Sequence, residues 1–232
     1  MSEAIRITFH GHSCFLIEHQ EASILIDPFL TGNPVAVIGP EEIDPTHIVV
    51  THGHGDHLGD TVAIAERTNA EVITGFELAN HLGANGVARV TDLGIGGGRD
   101  FSFGRVTLTI AHHGGALPDG SCGGAPAGAI VGIGGREIYH AGDTALTYDM
   151  RLIAELHDIA VAMVPIGDVY TMGPRAGAKA IAFVDADVAV PMHYNTFEAL
   201  EVDTELFRKG VEALGKTVQM PRPGESFTID AA

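Results

Sequence analysis

The feature that most constrains this chain is where its β-rich apolar runs stop. THIVVT runs into His52, VTLTIA meets His112 and His113, EIYHA leads to Asp143, and VAVPM ends at His193. Each run reads as a strand from its β-branched and apolar content, and each is followed by a residue type that ligates metal ions. Strand ends gathered at one edge of a sandwich would hold such residues on rigid supports, where a catalytic metal site is expected.

The pattern along the chain sets the expected architecture. IRITF, CFLIE and SILID alternate with turns, which predicts an antiparallel meander. THIVVT (46–51) reads as a buried strand, and Asp60 is placed to cap a helix over TVAIAERT. A strand (EVIT), a helix (FELANHLG) and a short strand (VARVT) lead to GIGGGRD, which lacks the Lys-Ser/Thr ending of a phosphate loop and reads as a hairpin loop. After the alternating FSFGRVTLTIAHH, the second half repeats the style. AGAIVGI and EIYHA read as strands, LTYDMRLIAEL as a helix and IAVAMVPIG as a buried strand, followed by RAGAKAIAFV, VAVPMH, the helix DTELFRKGVEAL and two final strands. No low-complexity linker divides the halves. Residues 1–232 are therefore expected to form a single domain of the α/β (α+β) class, a four-layer αββα sandwich with helices outside two facing sheets.

Charge and composition exclude several function classes. Thirteen Lys+Arg against 30 Asp+Glu leave a formal charge of −17, which repels nucleic-acid phosphates and anionic lipid alike. The expected partner is a small-molecule substrate, with no nucleic acid, no membrane, and a homo-oligomer as the default assembly. The N-terminus has no signal-peptide pattern, and no stretch approaches the ~20 apolar residues of a membrane span, so a cytoplasmic location is expected. Cys14 and Cys122 form no Cys-x-x-Cys pattern and are expected to be two buried thiols.

Three of the 13 histidines fall in His52-x-His54-x-Asp56-His57. In extended backbone, side chains at i and i+2 point the same way, so His52 and His54 can share one ion. Asp56 and His57 sit where the chain tightens and point elsewhere, a split that suits two ions. Gly53 and Gly55 permit the bend. Two ions need more ligands than this segment supplies; His112 or His113, Asp143 and His193 are the candidates.

Taken in order, HGHGDH, AHHGG, YHAGDT and PMHYNTF resemble the metal-binding motifs of the metallo-β-lactamase superfamily across nearly the whole chain. FHGHSCFLIE, ILIDP, GAPAGAIV, PIGDVYTMGP and PMHYNTF further resemble a family of small prokaryotic metal-dependent hydrolases related to the ascorbate-6-phosphate lactonase branch. The resemblance implies the metallo-β-lactamase fold and a binuclear site. His52, His54 and a histidine at 112 or 113 would bind the first ion, Asp56, His57 and His193 the second, and Asp143 would bridge. His113, before Gly114 and Gly115, fits the ligand position better than His112, which stands where the family has an apolar or aromatic residue. Asp27 matches the aspartate that buttresses the metal loop.

The expected chemistry is hydrolysis of a small-molecule ester, lactone or phosphoester by a metal-bound hydroxide. Asp56 would also orient the water or pass a proton. Imidazole-rich ligation suits zinc first, with manganese, nickel or iron as alternatives; an electron-transfer relative of the fold would be expected to carry a carboxylate where this chain has His54. The competing readings are an iron-dependent sulfur dioxygenase or thioester hydrolase of the same fold, and a non-catalytic metal-binding module. His12, Tyr194 and Asn195, with Thr196, are the candidate substrate contacts, and Asp168, Thr171 and Met172 could line the pocket. His10, His19, His47, His81, His140 and His157 are expected at the surface or behind the ligands.

Overall fold

Antiparallel pairing opens the chain, as the alternation of its first runs requires. The computed structural model describes residues 4–232. β1 (Ile5–Gly11), β2 (Cys14–His19) and β3 (Ala22–Ile26) form the meander. Ile5, Ile7 and Phe9 are buried while Arg6 between them is exposed, the signature of a sheet with one wet face. β4 (His47–Val49) then pairs parallel to β3. Two helices, α1 (Gly55–Leu58) and α2 (Thr61–Thr68), lead to β5 (Glu71–Gly75), and α3 (Phe76–Ala84) leads to β6 (Val90–Leu93), each strand adding in parallel.

From β3 onward the runs are apolar throughout because both faces are covered. Ile24, Ile26, Val49 and Ile73 face the core between the sheets. Leu25, Ile48, Val50 and Val72 face outward onto Ile64, Leu78 and Leu82 of α2 and α3.

The second sheet mirrors the first. β7 (Gly98–Phe101), β8 (Gly104–Ile110), β9 (Ala127–Ile133) and β10 (Arg136–His140) pair antiparallel. α4 (Met150–Leu156), β11 (Ile159–Pro165), α5 (Pro174–Val184), β12 (Val188–Met192), α6 (Thr204–Glu212) and β13 (Thr217–Val218) complete its parallel half. β14 (Ser226–Ile229) returns to the first sheet beside β1. Among the described residues this makes two seven-stranded sheets, ordered 14-1-2-3-4-5-6 and 13-12-11-10-9-8-7, sharing one inner core with helices outside. No described helix is long and apolar enough to cross a membrane.

Several expectations need correction. GIGGGRD is not a hairpin loop: it crosses from β6 in the first sheet to β7 in the second, with Gly96 N–H donating to Leu108 O at 2.7 Å. The hairpin lies two residues later, between β7 and β8. The helix read over LTYDMRLIAEL begins at Met150, because the Thr147 hydroxyl donates to Asp149 and closes a local turn. Asp60 occupies the N-cap of α2, but its carboxylate accepts the Leu30 and Thr31 amides instead of capping. Cys14 is buried, whereas Cys122 is exposed.

Phe207 of α6 is fully buried, and a Cβ on Gly177 of α5 would stand 3.4 Å from its ring. Phe207→Ala therefore leaves a void between two helices that cannot close, and it should lower stability by ~3–5 kcal/mol in urea unfolding.

Candidate metal centre

All the ligand-type strand ends emerge at one edge of the sandwich. The loop after β4 carries His52 and His54, and α1 turns Asp56 and His57 back toward them. The carboxy ends of β8, β10 and β12 deliver His113, Asp143 and His193. Their donor atoms fall into three overlapping groups, in each of which the atoms lie within 4.8 Å of one another: His52, His54 and His113; His52, His57 and Asp143; and Asp56, His57, His193 and His12. Asp143 Oδ2 sits in the middle, 3.0 Å from His193 Nε2, 3.3 Å from His57 Nε2 and 3.5 Å from His113 Nε2.

Asp27 decides how two of these rings present themselves. Its carboxylate is fully buried and accepts from Thr51 N–H (2.8 Å), Thr51 Oγ1–H (2.7 Å) and His57 Nδ1–H (2.7 Å). Having donated to Asp27, the Thr51 oxygen can accept from His52 Nδ1–H at 3.0 Å. Both rings then carry a proton on Nδ1 and turn Nε2 inward, so that Nε2 is the atom left to bind a metal, the arrangement that behind metal-ligating histidines fixes tautomer and orientation.

The interior has the marks of a cation site. His57 Nε2, His193 Nδ1 and Asp143 Oδ1 are buried without a hydrogen-bond partner, and orphaned buried polar atoms of this density require an explanation. His52 Nε2 lies 2.9 Å from His54 Nδ1, close enough for one proton to bridge the two nitrogens here and for one divalent ion to bind both. Burial disfavours charge on His57, yet Asp143 and Asp27 hold its pKa well above the ordinary 6.5; burial likewise opposes His193, and Asp143 raises it. Burial works against the Asp143 and Asp56 carboxylates too, but His57 beside Asp143 and His12 beside Asp56 bring both below the usual range. In the metal-free chain, protons on His57 and His193 therefore stand where cations fit. The donor set, nitrogen-rich with two carboxylates, suits zinc and the later first-row metals.

The structure brings together His52, His54, Asp56, His57, His113, Asp143 and His193. It separates His112 from them: the His112 backbone is held by Thr144 Oγ1 and Ala145, and its ring reaches out to Asp149 at 3.2 Å. Tyr194 and Asn195 do not line the cavity over the cluster. Asn195 has φ +52 and gives its side-chain oxygen to Val202 N–H, closing its own loop, and Tyr194 packs on the core. Asp168, Thr171 and Met172 close a turn among themselves. The cavity, about 350 Å³, has Tyr170, Phe197, Ala199 and Leu200 as walls, none singled out from sequence.

Two further histidines brace the site. His12, read as a substrate contact, lies at the tip of the β1–β2 hairpin and bridges Thr196 Oγ1 (2.9 Å) and Asp56 Oδ2 (3.1 Å). His140 donates from Nε2 to Ser13 O (2.9 Å) and accepts Gly142 N–H (3.2 Å), so it braces the turn that presents Asp143. A histidine at positive φ in a tight hairpin is the local signal for His12, but its partner lies 44 residues away.

Asp27→Asn replaces an acceptor facing two donors with an amide, so His57 loses its enforced tautomer. Metal affinity should fall about 10–100-fold by chelator competition, with the far-UV circular dichroism unchanged. Proton linkage gives a second check. His57 and His193 have raised pKa values, so both hold protons at pH 6.5 and lose them as pH climbs through the raised values. Metal loading at pH 6.5 should release protons, with apparent affinity rising with pH across that window. Calorimetry in buffers of different ionisation enthalpy measures this, and zero release would contradict the charge assignment.

Comparison with known proteins agrees with this geometry. The model of a beta-lactamase superfamily domain matches residues 6–193. The UPF0173 metal-dependent hydrolase of Methanopyrus kandleri is 44% identical over 228 residues, 96% of this chain and 99% of that protein. The UPF0173 metal-dependent hydrolase of Symbiobacterium thermophilum is 47% identical over 97% of this chain and 100% of its own length. Among solved structures, Igni18, a metallo hydrolase from Ignicoccus hospitalis, superposes with TM-score 0.89 at 35% identity, covering 98% of this chain and 99% of that one. Fold, cluster and relatives agree: this chain belongs to the metallo-β-lactamase superfamily and is a metal-dependent hydrolase.

Proposed function

We propose that the enzyme hydrolyses a small-molecule ester, lactone or phosphoester using two divalent ions, zinc in first place. His52, His54 and His113 would hold one ion, Asp56, His57 and His193 the other, with Asp143 shared. The observation that carries this reading is the division of one continuous cluster into histidine-rich groups joined through Asp143, opening onto a cavity of small-molecule size. When bound, such ions acidify water from a pKa of ~16 toward ~7 and stabilise developing oxyanion charge.

The chain's own residues do the rest. Asp27 and Thr51 hold His52 and His57 with Nε2 inward. His12 donates to Asp56 Oδ2, which also lies 3.7 Å from His193, and this fixes the carboxylate plane at the cavity floor. Asp56 would accept a proton from the attacking water and return it to the leaving oxygen. Aliphatic and aromatic side chains form the walls on which the rest of a substrate would rest. His54, where an electron-transfer relative would carry a carboxylate, favours hydrolysis over redox chemistry, and the metal bound separates it from a dioxygenase.

Metal content by inductively coupled plasma mass spectrometry, on protein purified without added metal or chelator, tests the count. About two zinc or manganese ions per chain are expected, lost in a His52→Ala/Asp143→Ala variant; stoichiometric iron would shift the reading to oxygenase chemistry. Asp56→Ala should lower kcat on active esters by about 100-fold or more. Equal turnover by variant and wild type would overturn the mechanism.

A further inference from the structure

The cavity over the cluster is chemically lopsided. Its floor is the His/Asp group, while Tyr170, Phe197, Ala199 and Leu200 form its walls, and among the described residues no Lys or Arg lines it. Phe197 is braced from behind, its ring centroid 5.8 Å from His12 and 6.3 Å from Phe29, so this wall is built into the hairpin and the loop after β3. Phe197 and Tyr170 nevertheless stay 42% and 62% exposed at the mouth. Large side chains left in water beside a cavity mark a surface that a ligand covers.

We propose, resting on the hydrolase reading above, that the part of the substrate that is not cleaved is small, uncharged and apolar, and lies against Phe197 and Leu200. The substrate class is then esters or lactones of short alkyl or aryl acids, in preference to molecules bearing a phosphate or carboxylate on that side. The cavity, about 350 Å³, sits at the lower end of the ~300–1,000 Å³ usual for ligand sites, which fits a small tail. An anionic tail would lose its water here with no cation in the walls to receive it, and the formal charge of −17 adds long-range repulsion. A cationic tail would find no free carboxylate, because Asp56 and Asp143 are committed to the floor. In the reaction, water oxygen bonds to the acyl carbon and the bond to the leaving oxygen breaks. One proton of water ends on the leaving alcohol and the other is lost from the released acid.

The test uses the metal-loaded enzyme and three para-nitrophenyl esters that share the leaving group and scissile bond: butyrate, hemisuccinate and a trimethylammonio-butyrate. The butyrate should exceed both charged esters in kcat/KM by about tenfold or more. Ala199→Arg, at an exposed wall position, should raise the hemisuccinate relative to the butyrate by about tenfold with metal content unchanged. Calorimetric binding of the uncleaved amides butyramide and succinamate gives a readout independent of turnover, and butyramide should bind more tightly. Cleavage with a charged ester preferred would overturn the pocket assignment and leave the hydrolase reading standing. Butyramide preferred with no ester cleaved would overturn ester hydrolysis and uphold the pocket assignment; neither cleavage nor preference would overturn both.

Discussion

Asp27 is a carboxylate with no exposed surface, and a buried charge of that kind persists only when every side of it is answered. Two groups of Thr51 and one of His57 answer it. Those bonds tie the end of β3 to the histidine loop and to α1, and through Thr51 they reach His52. Burial raises the Asp27 pKa, but His57 and its neighbours more than offset this and keep the group ionised. The inward Nε2 atoms of the centre follow from that single buried charge.

Part of the chain's backbone strain lies in the same place. His12, Asp27 and His193 all have positive φ, a conformation costing about 1–3 kcal/mol at a non-glycine residue. It is held by cross-links between loops: His193 N–H donates to His12 O at 2.7 Å, which pins the hairpin tip to the turn after β12. In the turn before Asp143 a glycine is unavoidable, since Gly142 has φ +60 and a Cβ there would stand 2.4 Å from Ala127 O. Stability given up at these turns holds five strand ends in one geometry before any ligand arrives.

Polar floor and apolar walls divide the work. The floor gathers nitrogen and oxygen donors, and the walls present apolar surface above them. The net charge of −17 then acts at long range against anionic molecules, although the floor itself is suited to cations.

Much of this was written locally in the sequence. The alternation of Ile5, Ile7 and Phe9 specified a half-wet antiparallel strand, and the unbroken apolar runs around Leu25 and Ile48 specified strands covered on both faces. Ligand-type residues at run ends pointed to His52, Asp143 and His193, because side-chain period and strand termination are properties of a few neighbouring residues. Contacts between distant loops decided the rest. The pairing of Ile5 with Ile229, the crossing at Gly96, the outward turn of His112 held by Thr144, the bond of His12 to Asp56, and the walls at Tyr170 and Phe197 each depend on a partner far along the chain or on how loops pack. A strand's period tells which face a side chain takes; only the packed sandwich decides which loops meet above its end.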